Sequence, residues 1–317
     1  MKKLSVISPV FNEQAVIFEF HQSLIEVLDR LAAQYESEVI YVVDSCPDRS
    51  LSILREIAEK DRRVKIIALS ARFGHQMSLL AGIDHAHGDA VVMLDSDLQH
   101  PPSLIPKMLA EFEKGFDIIY TIRKPAPRSS FFRRKSSQLF YGIINWLSHI
   151  PIDESAADFR LISARVARIF QTEIRERNQF LRGLMSWVGF KRVGIPFEAQ
   201  DRGGGRTKYS LGRLLRFGIT GVVSFSKKPL QAAIVVGLSF ALGGLLVAIY
   251  SAFMYFYRGN LPSGWTTLAI LISGFGGVQL IFLGMIGEYI GAIFDEVKAR
   301  PHYIVEEKVN FDASTSA

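Results

Sequence analysis

Residues 88–102 read GDAVVMLDSDLQHPP. The apolar run 90–94 ends in Asp95-Ser96-Asp97, which sets two carboxylates one residue apart. Such a pair repels itself unless a cation sits nearby. Mg2+ and Mn2+ take oxygen ligands, and Mg2+ commonly uses one or two carboxylates with substrate phosphates. The expected chemistry is a clamp for a metal–diphosphate, with a turn at Ser96 bringing both carboxylates to one ligand. An EF-hand is excluded, because His100 stands where its glycine belongs and Pro106 where its glutamate belongs. The plain structural alternative is a solvated turn in which Asp caps a helix starting near Pro101-Pro102.

A carboxylate pair needs a strand to present it. Before residue 125 apolar runs alternate with helical patterns: LSVISPV (4–10), EVIYVVD (38–44), VKIIALS (64–70), 90–94 and FDIIYTI (116–122) as strands, with helices over about 14–33, 51–60 and 75–87. Continuous apolar strands alternating with helices predict an α/β domain with a mainly parallel sheet covered on both faces. Ligands of such sheets sit at the carboxyl ends of the strands. Those ends carry Pro9 and Glu13, Asp44 and Asp48, Arg72, and Asp95 and Asp97, which should converge in one crevice. His75, His85, His87 and His100 have no zinc-ligand spacing and read as surface or supporting residues.

Two further stretches suit phosphate. RKPAPRSSFFRRKSSQ (123–138) carries six bases, including Arg123 and Arg133, and arginine forks match phosphate oxygens. DRGGGRTK (201–208) is glycine-rich and flanked by bases, and could close as a lid over a diphosphate. The plain alternatives are a solvated basic loop and a flexible linker.

The chain has 317 residues, enough for roughly two domains, and a formal net charge of +6. Its apolar residues, 49% of the total, are concentrated late. Residues 230–257 and 265–287 carry no charge, and each exceeds the roughly 20 residues a helix needs to cross a bilayer. The link RGNLPSG is short, so a transmembrane hairpin is expected. Arg213, Arg216, Lys227 and Lys228 precede it, Lys298 and Arg300 follow it, and the link holds only Arg258. The positive-inside rule then places both termini in the cytoplasm. The start, MKKLSVISPVFNE, has too short an apolar run for a signal peptide. Residues 208–228 read as amphipathic helix in the headgroup plane. Two spans argue against nucleic acid as the partner of the basic stretches. Glycine pairs such as Gly243-Gly244 and Gly276-Gly277 would allow close helix packing in a homo-oligomer. The single cysteine, Cys46, excludes an internal disulfide.

ISPVFNE (7–13), VVDSCPDRS (42–50), residues 71–102, ADFRLIS (157–163), FLRGLMSWVGF (180–190) and DRGGGRTKYS (201–210) occur in one order. In this they resemble family 2 glycosyltransferases of GT-A fold, and within these the polyprenyl-phosphate glycosyltransferases. The hairpin followed by DEVKARPHYIVEE resembles the bacterial branch that loads glucose on undecaprenyl phosphate. The resemblance implies inverting transfer from a nucleotide sugar, with UDP-glucose expected and GDP-mannose the alternative, using Mg2+ or Mn2+. It implies that Pro9, Phe11, Glu13, Asp44 and Arg72 hold the nucleotide. Asp95, Asp97 and Gln99 would bind metal and diphosphate. Arg123, Arg133, Ser137, Arg202 and Lys208 would contact phosphates, and Asp158 would lie near the reacting centre. Val43-Asp44 replaces the family's usual acidic pair and Ser45-Cys46 its usual Gly-Ser. The missing carboxylate is the one support for a different class of function, a non-catalytic membrane adaptor. A processive synthase is disfavoured by only two spans and by the missing Q-x-x-R-W motif. The expected organisation is a GT-A domain over 1–207, interfacial helices over 208–228, a hairpin over 229–294 and a cytoplasmic tail over 295–317.

Overall fold

The computed structural model describes residues 1–123, 156–177, 179–197, 226–258 and 264–311. In chain order the elements are β1 (Lys2–Val10), α1 (Ile17–Leu31), β2 (Tyr35–Val43), α2 (Ser50–Lys60), β3 (Val64–Leu69), α3 (His75–Asp84), β4 (Ala90–Met93) and α4 (Ile105–Glu113). There follow β5 (Ile118–Arg123), β6 (Ala156–Ser163), α5 (Ala164–Thr172), α6 (Leu181–Trp187), β7 (Arg192–Phe197), α7 (Lys228–Arg258), α8 (Trp265–Lys298) and β8 (Val305–Val309).

The eight strands among the described residues form one sheet in the order β7-β5-β6-β4-β1-β2-β3-β8. The pairs β1–β2, β1–β4, β2–β3 and β5–β7 are parallel. Those of β6 with β4 and β5, and of β8 with β3, are antiparallel. The expected mainly parallel α/β sheet is therefore present. Its centre is buried on both faces, so β1 from Leu4 onward and all of β4 are apolar or small without alternation. Helix α1 lays Ile17, Phe20, Leu24, Val27 and Leu28 into the core at helical spacing. Helix α3 packs so tightly that a Cβ on Gly82 would stand 2.2 Å from Ile7 Cγ2.

Helices α7 and α8 form a second unit. Phe240 meets Phe275 edge-on, with ring centroids 5.1 Å apart, and the Tyr289 hydroxyl donates to the Ser226 carbonyl at 2.6 Å. Rising numbers on α7 thus match falling numbers on α8, so the pair is antiparallel. Both helices are long and apolar enough to cross a membrane. Leu238, Leu246, Leu280 and Ile281 are among many apolar side chains left open. A Cβ at Gly243, Gly244, Gly276 or Gly277 meets nothing within 4 Å, so these glycines do not serve the packing of α7 on α8. Helix α8 runs to Lys298, about ten residues beyond the expected end near 288, and carries Glu288, Asp295 and Glu296 along its last turns.

The C-terminal segment departs from the expected free tail. Residues 300–311 return to the sheet, where β8 adds an outer strand to β3. Exposed Glu306 and Lys308 alternate with half-buried neighbours, as on a strand with one solvated face. Tyr303 donates its hydroxyl to Asp84 Oδ2 at 2.7 Å, and Arg175 grips the same carboxylate at 2.7 and 3.1 Å. Asn310 Nδ2 donates to the carbonyls of Ala58 and Val64, both at 2.8 Å. Short, scattered apolar residues gave this strand no sequence signal of its own.

Asp84 fastens this return. Asp84→Ala would leave the Arg175 guanidinium and the Tyr303 hydroxyl without their shared acceptor and should cost about 2–3 kcal/mol. Tyr303→Phe removes one hydrogen bond to a charged group and should cost about 1–2 kcal/mol. Thermal unfolding of the detergent-solubilised protein should show both losses in that order. Unchanged midpoints would mean that the segment is not held by these contacts.

Candidate active site

The motif Asp95-Ser96-Asp97 leaves the carboxyl end of β4, and its middle residue sets its shape. Ser96 is buried, and its Oγ donates to the Pro9 carbonyl at 3.0 Å. With Ser96 turned inward to β1, the flanking carboxylates face the crevice. Asp97 is fixed locally: Gln99 donates its backbone N–H to Oδ1 at 3.1 Å and its Nε2 to Oδ2 at 2.7 Å. Asp95 is fixed from a distance, by His75 Nε2 at 2.7 Å from Oδ1. Leu98 adopts φ 61°, a left-handed conformation that costs a branched residue strain, and Asn12 after β1 adopts φ 59°. Both outliers lie in loops that rim the crevice.

Asp158 joins this group through strand register. On the antiparallel pair β4–β6, Met93 stands opposite Arg160, so two steps on brings Asp158 level with Asp95. Arg182, in the first turn of α6, grips Asp158 through Nε at 2.7 Å and Nη2 at 2.8 Å. Burial alone would raise the Asp158 pKa. The Arg182 hydrogen bonds and charge, helped by His75 and Arg160, outweigh burial and hold it at about 2. For His75 burial acts to lower the pKa, but the Asp95 hydrogen bond, with the charges of Asp95 and Asp158, leaves it raised.

The residues expected to hold a nucleotide gather at the ends of β1, β2 and β3. Asp44, almost wholly buried, accepts backbone N–H groups from Phe73 at 2.8 Å and Gly74 at 3.0 Å. Gly74, at φ 92°, makes the turn into α3 possible. Arg72 stacks its guanidinium 4.1 Å from the centre of the Phe11 ring. Asp48 pins the neighbouring loops. It accepts from Gln14 N and Ser50 N, and from Ser50 Oγ, whose oxygen in turn accepts the Glu13 N–H. Its pKa is lowered: burial opposes the charge, and hydrogen bonds from Cys46, Ser50 and Gln14 more than offset it.

The structure thus brings Pro9, Phe11, Glu13, Asp44, Arg72, Asp95, Asp97, Gln99 and Asp158 to one edge of the sheet. Arg123 ends β5 opposite Phe197. Arg133, Ser137, Arg202 and Lys208, the basic stretch after Arg123, the glycine-rich segment and most of the 208–228 stretch lie outside the described residues. Among the described residues no group of three or more His, Cys, Asp or Glu side chains is placed to hold a metal ion by itself. Two carboxylates and an amide at a strand end are a hard, open oxygen set, which fits Mg2+ or Mn2+ completed by phosphate oxygens. Sequence reasoning left Arg182 out of the site and read His75 only as a surface or supporting residue. His75 follows a strand-ending turn just as Arg72 does, and that position was its only signal. Arg182 lies in a helix about 85 residues from the metal motif, where only folding reveals its partner.

Parallel strands ending in a carboxylate-lined crevice place the candidate site where open α/β sheets bind their ligands. The sequence pattern of glycosyl transferase family 2 matches residues 5–170, over half of the chain, and the chain belongs to that family. It is similar to the glycosyltransferase YkcC of Bacillus subtilis, with 38% identity over 97% of this chain and 94% of that one. It is also similar to the SfII prophage-derived bactoprenol glucosyl transferase of Shigella flexneri, with 34% identity over 96% of this chain and 98% of that one. Among solved structures, mannosyl-3-phosphoglycerate synthase from Rubrobacter xylanophilus shares 13% identity over 70% of this chain and 72% of that one, with a TM-score of 0.47. The protein is a glycosyltransferase with a GT-A-type sheet, and the adaptor reading falls away.

The Arg182–Asp158 pair has a pH signature. Asp158 titrates near 3.8 when unfolded and at about 2 when folded. The stabilisation it carries, on the order of 2 kcal/mol, is complete above pH about 4 and is lost as pH falls toward 2. Asp158→Asn should therefore flatten this part of the acid-unfolding curve. An unchanged acid limb would mean that the pair does not form in solution.

Proposed function

We propose that this protein transfers a sugar, with glucose from UDP-glucose the expected donor, to a polyprenyl phosphate at the cytoplasmic face of a membrane. The observation that carries this reading is the path of the chain. It leaves the sheet, runs through two membrane-length helices and returns to the same sheet as β8. A catalytic domain tethered in this way stays on one side of a bilayer, within reach of a lipid whose apolar chain cannot leave it cheaply. The basic residues flanking the helix pair, against the single Arg258 in its link, support the cytoplasm as the side of that domain and of both termini. The bactoprenol glucosyl transferases to which the chain is similar over almost their whole length support the acceptor and the sugar.

Phe11 and Arg72 are assigned to the base and ribose of the donor, with Pro9 and Glu13 beside them. Asp44 contributes by shaping the turn that presents Arg72. Asp95, Asp97 and Gln99 would hold Mg2+ or Mn2+ against the diphosphate. A cation bound there would neutralise charge on the leaving group. Arg123, Arg133, Ser137, Arg202 and Lys208 are assigned to donor or acceptor phosphates.

The nucleophile is a phosphate oxygen. A phosphomonoester with a second pKa of about 6 is mostly dianionic at neutral pH, so it needs no base to remove a proton. This agrees with the state of Asp158, a carboxylate committed to Arg182 and far too acidic to serve as one. Its role is to hold Arg182 beside the reacting centre. A single displacement at the anomeric carbon inverts its configuration.

Purified protein with undecaprenyl phosphate, Mg2+ or Mn2+ and labelled UDP-glucose should yield a metal-dependent, organic-extractable product. GDP-mannose and other donors in parallel test the sugar. Asp97→Ala should abolish turnover with the fold intact, and near-native turnover would sink the metal clamp. Asp158→Asn should lose less than the roughly 10²-fold expected for removal of a general base. A larger loss with both substrates still bound would make Asp158 the base.

A further inference from the structure

Asp95 and Asp97 are held in different ways. Asp97 depends on Gln99, two residues away in the same loop, whereas Asp95 depends on His75, twenty positions earlier at the start of α3. Facing a carboxylate, His75 Nε2 is the donor. His75 itself has little freedom to drift. The two residues before it give their N–H groups to Asp44, and the residue after it, Gln76, accepts the Leu181 N–H through Oε1 at 3.2 Å.

The other oxygen of Asp95 faces a competitor. His100 Nδ1 lies 3.7 Å from Asp95 Oδ2, too far for a hydrogen bond. That nitrogen is buried without a hydrogen-bond partner, while its ring is packed between Phe159 and Phe197 at centroid distances of 5.6 and 5.7 Å. A buried polar atom without a partner is costly, and a small rotation of Asp95 would satisfy it. Among the described residues, the hydrogen bond from His75 on the opposite side holds the carboxylate back.

We propose that His75 is a positioning residue that keeps Asp95 turned toward the crevice and away from His100, so that the divalent cation meets a preset ligand. This rests on the metal-assisted reading above. Partners of metal-ligating carboxylates typically contribute about 10–100-fold to metal affinity. His75 is itself 40% exposed and half at the surface, so replacing it leaves the core intact.

The experiment is Mn2+ binding to the full-length protein in detergent with UDP present, read from the loss of the free-Mn2+ paramagnetic resonance signal. His75→Leu should weaken Mn2+ binding about tenfold or more. His75→Gln, which returns an N–H donor at similar reach, should recover most of that loss. In the transfer assay His75→Leu should raise the KM for Mn2+ and leave kcat near native at saturating metal. Native Mn2+ affinity in His75→Leu would overturn the proposal, as would a His75→Gln variant as weak as His75→Leu. If the native protein binds no Mn2+ in the presence of UDP, the metal-assisted reading fails first and the role of His75 falls with it.

Discussion

The buried carboxylate of Asp44 accepts two successive backbone N–H groups, those of Phe73 and Gly74, and thereby fixes the turn from β3 into α3. The rest of the site is arranged around that turn. Arg72 leaves it to stack on Phe11, His75 leaves it to reach Asp95, and Gln76 ties it to the first turn of α6 beside Arg182. A single strand-end aspartate therefore positions both the Arg72–Phe11 stack and the His75–Asp95 pair. It does so at low cost, because the N–H groups at a helix start need acceptors in any case. Val43, which stands where the resemblance leads one to expect a second carboxylate, is buried in the core of β2.

Much of the sheet was legible because its strands are buried on both faces. VIYVV and AVVML are continuous apolar runs, as expected of strands covered on both faces. The carboxylate pair proposed to hold the metal stood out for the same reason, because it follows such a run directly. The antiparallel strands were harder. β6, ADFRLIS, mixes Asp158 and Arg160 with apolar residues because its start lines the site, and chemistry there overrides pattern. β8 was invisible because an outer strand with one solvated face has little burial to impose a signal.

Contacts between distant residues were the least legible. The Arg182–Asp158 pair spans 24 positions and the His75–Asp95 pair 20, and neither spacing carries information before the strands are aligned. Asp158 was identified through resemblance, yet its state depends on Arg182, a partner that only the register of β4 on β6 and the placement of α6 make evident. The helix pair stands at the other extreme: length and lack of charge were enough, because a bilayer asks little else of a sequence. There the structure adds the antiparallel arrangement and shows that the glycine pairs are not used within it.

β8, at one edge of the sheet, is made after every other described strand. Residues 305–309 leave the ribosome only after both apolar helices have done so, which means that β3 keeps an unpaired edge throughout that interval. An unpaired parallel edge is a hazard for association with other chains. The sheet closes that edge only once both apolar helices have been synthesised, so completion of the catalytic domain waits on the whole helix pair. A chain stalled before residue 305 would have its crevice residues in sequence but a sheet with one strand edge still open.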